Sequence, residues 1–117
     1  MNWTKRTTLE VCRDLWQWLA DNPDKGKWSW PGWEHNGGET PECWGSCPVC
    51  QYANLHKGRC KSCLLWGEGK ELKGEDCLDT ESPYWRWCYS KDSTVRKAAA
   101  LEIVAACNRS LEKLRKG

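Results

Sequence analysis

Apolar residues recur at helical spacing near the two ends of this chain and lose that regularity between them. In the first half Leu9, Cys12, Trp16 and Leu19 fall on one stripe, widened by Val11, Leu15 and Trp18. That spacing predicts an amphipathic helix over residues 5–21. Thr7, followed three residues on by Glu10, fits a capping box. Asn22-Pro23 ends the helix, because proline cannot continue the hydrogen-bond ladder. Near the other end Val95, Ala99, Ile103, Ala106, Cys107, Leu111 and Leu114 share one half of a helical wheel. Lys97, Glu102, Asn108, Arg109, Glu112 and Arg115 mostly take the opposite half. This predicts a helix over residues 92–114, capped by Asp92 or Ser93, with Lys113, Arg115 and Lys116 complementing the C-terminal dipole. Both stripes are expected to face the chain's own core.

Residues 24–46 read as an irregular loop, punctuated by Gly26, Pro31, Gly32, Gly37, Gly38, Pro41 and Gly45. Yet they hold Trp28, Trp30, Trp33 and Trp44. Residues 67–90 read as a polar loop around Cys77 that leads into an aromatic segment. There Pro83-Tyr84-Trp85-Arg86-Trp87-Cys88-Tyr89 alternates. As a short strand or tight aromatic turn, this segment would put Trp85, Trp87 and Tyr89 on one side.

The chemistry lies between the helices. Cys47-Pro48-Val49-Cys50 is followed, after nine residues, by Cys60-Lys61-Ser62-Cys63. A Cys-x-x-Cys turn aims both sulfurs at one point, and two such turns supply a tetrahedral four-thiolate shell. Residues 43–66 are therefore read as a zinc-knuckle module with Cys47, Cys50, Cys60 and Cys63 as ligands. A shell filled by sulfur leaves no position for water, so the zinc is expected to be structural. Cys43, Cys77, Cys88 or His56 can replace a ligand or help build a second site. The same thiols also permit an iron–sulfur cluster. His56, Lys57, Arg59 and Lys61 compensate the charge of the thiolates. Cys12 and Cys107, on apolar helix faces, are expected to pack as buried thiols.

Composition sharpens this picture. Ten Trp, no Phe and nine Cys in 117 residues, with few aliphatic residues, describe a single small domain held by metal and indoles. The expected fold is an α-rich, metal-stabilised domain over residues 1–117. Two amphipathic helices pack on an irregular zinc-knuckle module, with at most short β-hairpins. A net charge of +2 excludes a strongly basic nucleic-acid binder. Met1-Asn2-Trp3-Thr4-Lys5-Arg6 has no apolar signal region and no run is long enough to span a membrane, so a reducing cytoplasm is expected.

Enzyme signatures are sparse. There is no His-Glu-x-x-His, no phosphate-cradling glycine loop with lysine, and no deaminase pairing of His-x-Glu with Pro-Cys-x-x-Cys. Glu34-His35-Asn36-Gly37-Gly38, then Asn54-Leu55-His56, then Cys60-x-x-Cys63 faintly resembles an HNH endonuclease. That resemblance implies His35 as general base, Asn54 orienting it and His56 on a catalytic metal. The first knuckle falls between base and Asn, however, where the family places it before the base.

A second resemblance spans roughly residues 10–110. A Trp-bearing opening helix precedes Cys47-x-x-Cys50 and Cys60-x-x-Cys63-Leu64. A glycine-rich turn to Cys77, Ser82-Pro83-Tyr84-Trp85 and an amphipathic closing helix follow. This pattern is similar to small cysteine-rich zinc-binding accessory proteins of tailed bacteriophages. The resemblance implies a metal-stabilised protein without catalytic signature, with Cys43 and Cys88 additional here.

The expected function is that of a non-enzymatic structural-zinc adaptor that binds a host or partner macromolecule, most readily a protein. In a phage setting it would be a host-takeover or anti-defence factor in the host cytoplasm. Trp28, Trp30, Trp33, Trp85, Arg86 and Trp87 are the expected partner-binding residues. A single-stranded nucleic-acid-binding zinc protein is the alternative, with Trp and Tyr stacking on bases and Lys57, Arg59, Lys61 and Arg86 on phosphates. An HNH-like nuclease is the second alternative.

Overall fold

The computed structural model describes residues 4–26, 29–31 and 82–116. Among them the chain forms three helices and no strand: α1 (Lys5–Asp21), α2 (Pro83–Tyr89) and α3 (Ser93–Lys116). The described part of the molecule is thus helix-rich. The Trp-rich loop at 32–46, the knuckles and the loop to residue 81 lie outside the described residues.

Helix α1 starts one turn earlier than a Thr7 cap would require. Thr7 is already helical, so the N-cap falls to Thr4, whose backbone is extended at φ −84°, ψ 169°. Thr7 N–H donates to Thr4 Oγ1 and Thr4 N–H donates to Thr7 Oγ1, each at 3.1 Å. The two hydroxyls also hydrogen-bond each other. Thr7 therefore takes the reciprocal role that Glu or Gln usually fills three residues after the cap. At the other end both the backbone and side-chain N–H groups of Asn22 donate to Trp18 O at 2.9 Å. Pro23 then forbids another turn.

The aromatic segment at 83–89 is a helix, not a strand. Ser82 is its N-cap, Oγ accepting from Tyr84 N–H at 3.1 Å, and Pro83 occupies the first helical position, where its missing N–H costs nothing. Two residues beyond Ser90, Asp92 caps α3. Its Oδ1 accepts from Thr94 N–H at 2.8 Å and Val95 N–H at 3.2 Å. Helix α3 continues two residues past the expected Leu114, to Lys116.

The core forms where α1 meets α3. Leu9, Val11, Cys12, Leu15, Trp16, Leu19 and Ala20 bury against Ala99, Ala100, Ile103, Val104, Ala106 and Cys107. Ala99, Ile103, Ala106 and Cys107 of the expected α3 face are buried, and the face is wider and shorter than expected. Ala100 and Val104 join the core, while Val95 and Leu114 are exposed. Alanines on α3 let the bulkier α1 side chains approach closely. Both Cys12 and Cys107 are fully buried, as small hydrophobes are.

Helix α2 closes one side. Trp87 stands edge-on to Trp16, with centroids 5.0 Å apart and planes at 82°, and Tyr84 meets Trp16 at 5.8 Å and 67°. Such edge-to-face pairs are the arrangement favoured by the ring quadrupole.

Candidate partner-binding face

The site is built on α2, and two arginines hold α2 in place. Arg96, in the first turn of α3, donates from Nη1 to Trp87 O at 3.0 Å. It also donates from Nε to Pro23 O at 2.7 Å and from Nη2 to Lys25 O at 3.0 Å. One guanidinium thus ties the end of α2 to the segment that leaves α1. On the other flank Arg86 Nη1 lies 2.7 Å from Glu102 Oε2, joining α2 to the middle of α3.

The seven residues of α2 sort by helical angle. Pro83 and Trp87 face the core, so the opposite side presents Trp85 and Tyr89. These two are one turn apart, with ring centroids at 5.0 Å and planes at 38°. Tyr89 is 68% exposed, the most exposed large hydrophobic residue among those described, and Trp85 is half-buried.

The expected partner-binding residues therefore divide. Trp30 and Trp87, at 7% and 5% exposure, are core side chains that belong to the same buried cluster as Trp16 and Ile103. Arg86 is half-exposed and engaged by Glu102. Trp85 alone of the named tryptophans reaches the described surface; Trp28 and Trp33 lie outside the described residues. Tyr89 and Glu102 were not among the expected site residues. The signal for Tyr89 was Ser82-Pro83, a cap followed by an N1 proline, which turns the alternating pattern into a helix with Trp85 and Tyr89 one turn apart at i, i+4; no local signal pairs Glu102 with Arg86.

Of the thiols, Cys88 is exposed on α2. The knuckle residues Cys47, Cys50, Cys60 and Cys63, the further candidates Cys43, Cys77 and His56, and the HNH-like His35 and Asn54 lie outside the described residues. Among the described residues no group of three or more His, Cys, Asp or Glu is placed to hold a metal ion, and no helix is long and apolar enough to cross a membrane. Comparison with protein-family models, curated proteins and solved structures finds no match to this chain.

Proposed function

We propose that this chain is a structural-zinc accessory protein that docks on a partner macromolecule through the Trp85–Tyr89 pair. The observation that carries the reading is an aromatic pair turned away from the core on a short helix that is fixed from both sides. Tyr89, the more exposed of the two tilted rings, covers little of the core. Rigid aromatic side chains lose little entropy on binding and dominate many interface hot spots. Arg96 and the Arg86–Glu102 pair hold the platform in one orientation before a partner arrives.

Zinc held by Cys47, Cys50, Cys60 and Cys63 belongs to the same proposal and rests on their spacing. So does the likeness to phage accessory proteins, with a host cytoplasm as the place of action.

The test is capture from an extract of the native host on immobilised protein, comparing wild type with a Trp85→Ala, Tyr89→Ala double variant. The variant is expected to keep its circular dichroism and lose the captured partner. Equal capture by both proteins would remove this face from the proposal.

A further inference from the structure

We infer that α2 and residues 22–25, the turn that follows α1, form one latch that opens and closes as a unit through Arg96 while the α1–α3 pair stays packed.

The observation is a shared cap. Trp87 lies in the last turn of α2, where carbonyls have no partner inside the helix. Pro23 and Lys25 stand just past the end of α1. Nη1, Nε and Nη2 of Arg96 donate to the carbonyls of Trp87, Pro23 and Lys25 respectively. One side chain thus serves the C-terminal ends of two helices. Its plane is fixed by acceptors on both sides and by the Trp87 ring, whose centroid lies 4.3 Å from the guanidinium carbon. When α2 leaves, the guanidinium loses that ring and one acceptor and is free to turn to water. Pro23 and Lys25 then lose the donor held ready for their carbonyls. Loosening residues 22–25 removes the other two acceptors and has the mirror effect. Hydrogen bonds that share one donor group in this way form together and fail together.

The rest of the attachment of α2 is light. Seven residues are too few for a helix that stands alone. The exposed Arg86–Glu102 pair orients α2 but contributes little to its stability. Tyr84 and Trp87 meet Trp16 edge-on. Trp87 Nε1–H is buried and has no acceptor among the described residues, so opening gives it water to bond. The α1–α3 pair keeps Leu9, Leu15 and Leu19 with Ile103 and Val104 as its own buried set. By linkage, whatever holds α2 closed also orders the turn after α1, and the reverse. The latch is a property of the fold and stands whether or not Trp85–Tyr89 takes a partner.

The experiment is native-state hydrogen exchange of the full chain, read by NMR over a range of low urea concentrations. The probes are Ser90 N–H, bonded to Arg86 O at 3.0 Å, and Lys25 N–H, bonded to Asn22 O at 3.0 Å. In wild type the two should share one protection factor and one urea dependence, both below those of Ile103 N–H in the middle of α3. Ser82→Ala removes the α2 cap, whose Oγ accepts from Tyr84 N–H, without touching Arg96. It should lower the protection of Ser90 and of Lys25 by the same factor, about fivefold. In an Arg96→Lys background, where an ammonium cannot span the carbonyls, Ser82→Ala should lower Ser90 and leave Lys25 unchanged. A Lys25 amide that exchanges freely in wild type, or that ignores Ser82→Ala, overturns the inference. So does protection of both probes equal to that of Ile103, or coupling that survives Arg96→Lys. The wild-type comparison needs no variant, so it decides the matter even where a variant folds poorly.

Discussion

The guanidinium carbon of Arg96 lies 4.3 Å from the centroid of the Trp87 ring while Nη1 of the same side chain donates to the Trp87 carbonyl. One residue is therefore held through both its ring and its backbone. The carbonyls of Trp87, Pro23 and Lys25 come from two distant parts of the chain, and only a planar fork with several donors reaches all three. This arrangement sets where α2 sits on the α1–α3 pair.

Arg96→Ala should accordingly cost about 2–3 kcal/mol, because it removes charged hydrogen bonds and a cation–π interaction at a half-buried site. Arg96→Lys should recover little of it, since an ammonium cannot span three carbonyls. Urea denaturation monitored by tryptophan fluorescence measures both. A cost below about 0.5 kcal/mol for the alanine variant would mean that α2 is positioned by something else.

The α1–α3 interface gives a sharper contrast. Leu15 and Ile103 are fully buried, and truncating either to Ala should cost about 2–5 kcal/mol. Leu101 is 40% exposed on the same helix as Ile103, and Leu101→Ala should stay within about 0.5 kcal/mol. Chemical denaturation of the three variants side by side would show whether the Ile103 face of α3 is the packed one.

The two end helices were legible because each repeats its apolar spacing over several turns. Even so, the wheel of α3 misplaced its edge. Val95 and Leu114 extend the apolar half in sequence but are exposed near the two ends of α3, whereas Ala100 and Val104 are buried between them. Helix α2 was not legible from its pattern. Over seven residues a period of two and a period of 3.6 make similar demands, and Trp and Tyr favour strands. The local cap at Ser82-Pro83 decided the matter. Neither Arg96 nor the Arg86–Glu102 pair was legible, because each depends on backbone brought together from far along the chain. Of the candidate site, Trp85 and Arg86 were named from sequence. Tyr89 emerged only once α2 was known to be a helix.

Thr8 offers a test of polar burial. It is fully buried, and its hydroxyl has no hydrogen-bond partner among the described residues. A buried hydroxyl without a partner is destabilising, and valine has nearly the same shape and helix propensity. Thr8→Val should therefore raise stability by about 1 kcal/mol in equilibrium unfolding. A decrease of that size would show that the hydroxyl is satisfied in solution.

Metal removal addresses the zinc proposal directly. If Cys47, Cys50, Cys60 and Cys63 bind one zinc as thiolates, protein purified without added metal should be colourless and carry one zinc per chain by elemental analysis. Structural sites of this kind contribute on the order of 10–16 kcal/mol of apparent binding free energy at neutral pH. A chain of 117 residues with nine Cys and few aliphatic residues cannot replace that from its core. A strong chelator should then lower the melting temperature steeply, and re-addition of zinc should restore it. Cys50→Ser with Cys60→Ser should abolish stoichiometric zinc. Two zinc ions per chain would recruit Cys43, Cys77, Cys88 or His56 as further ligands. A brown protein would replace zinc with an iron–sulfur cluster. A metal-free protein that melts as sharply as before would remove the four-thiolate site, and with it the accessory-protein reading built on it.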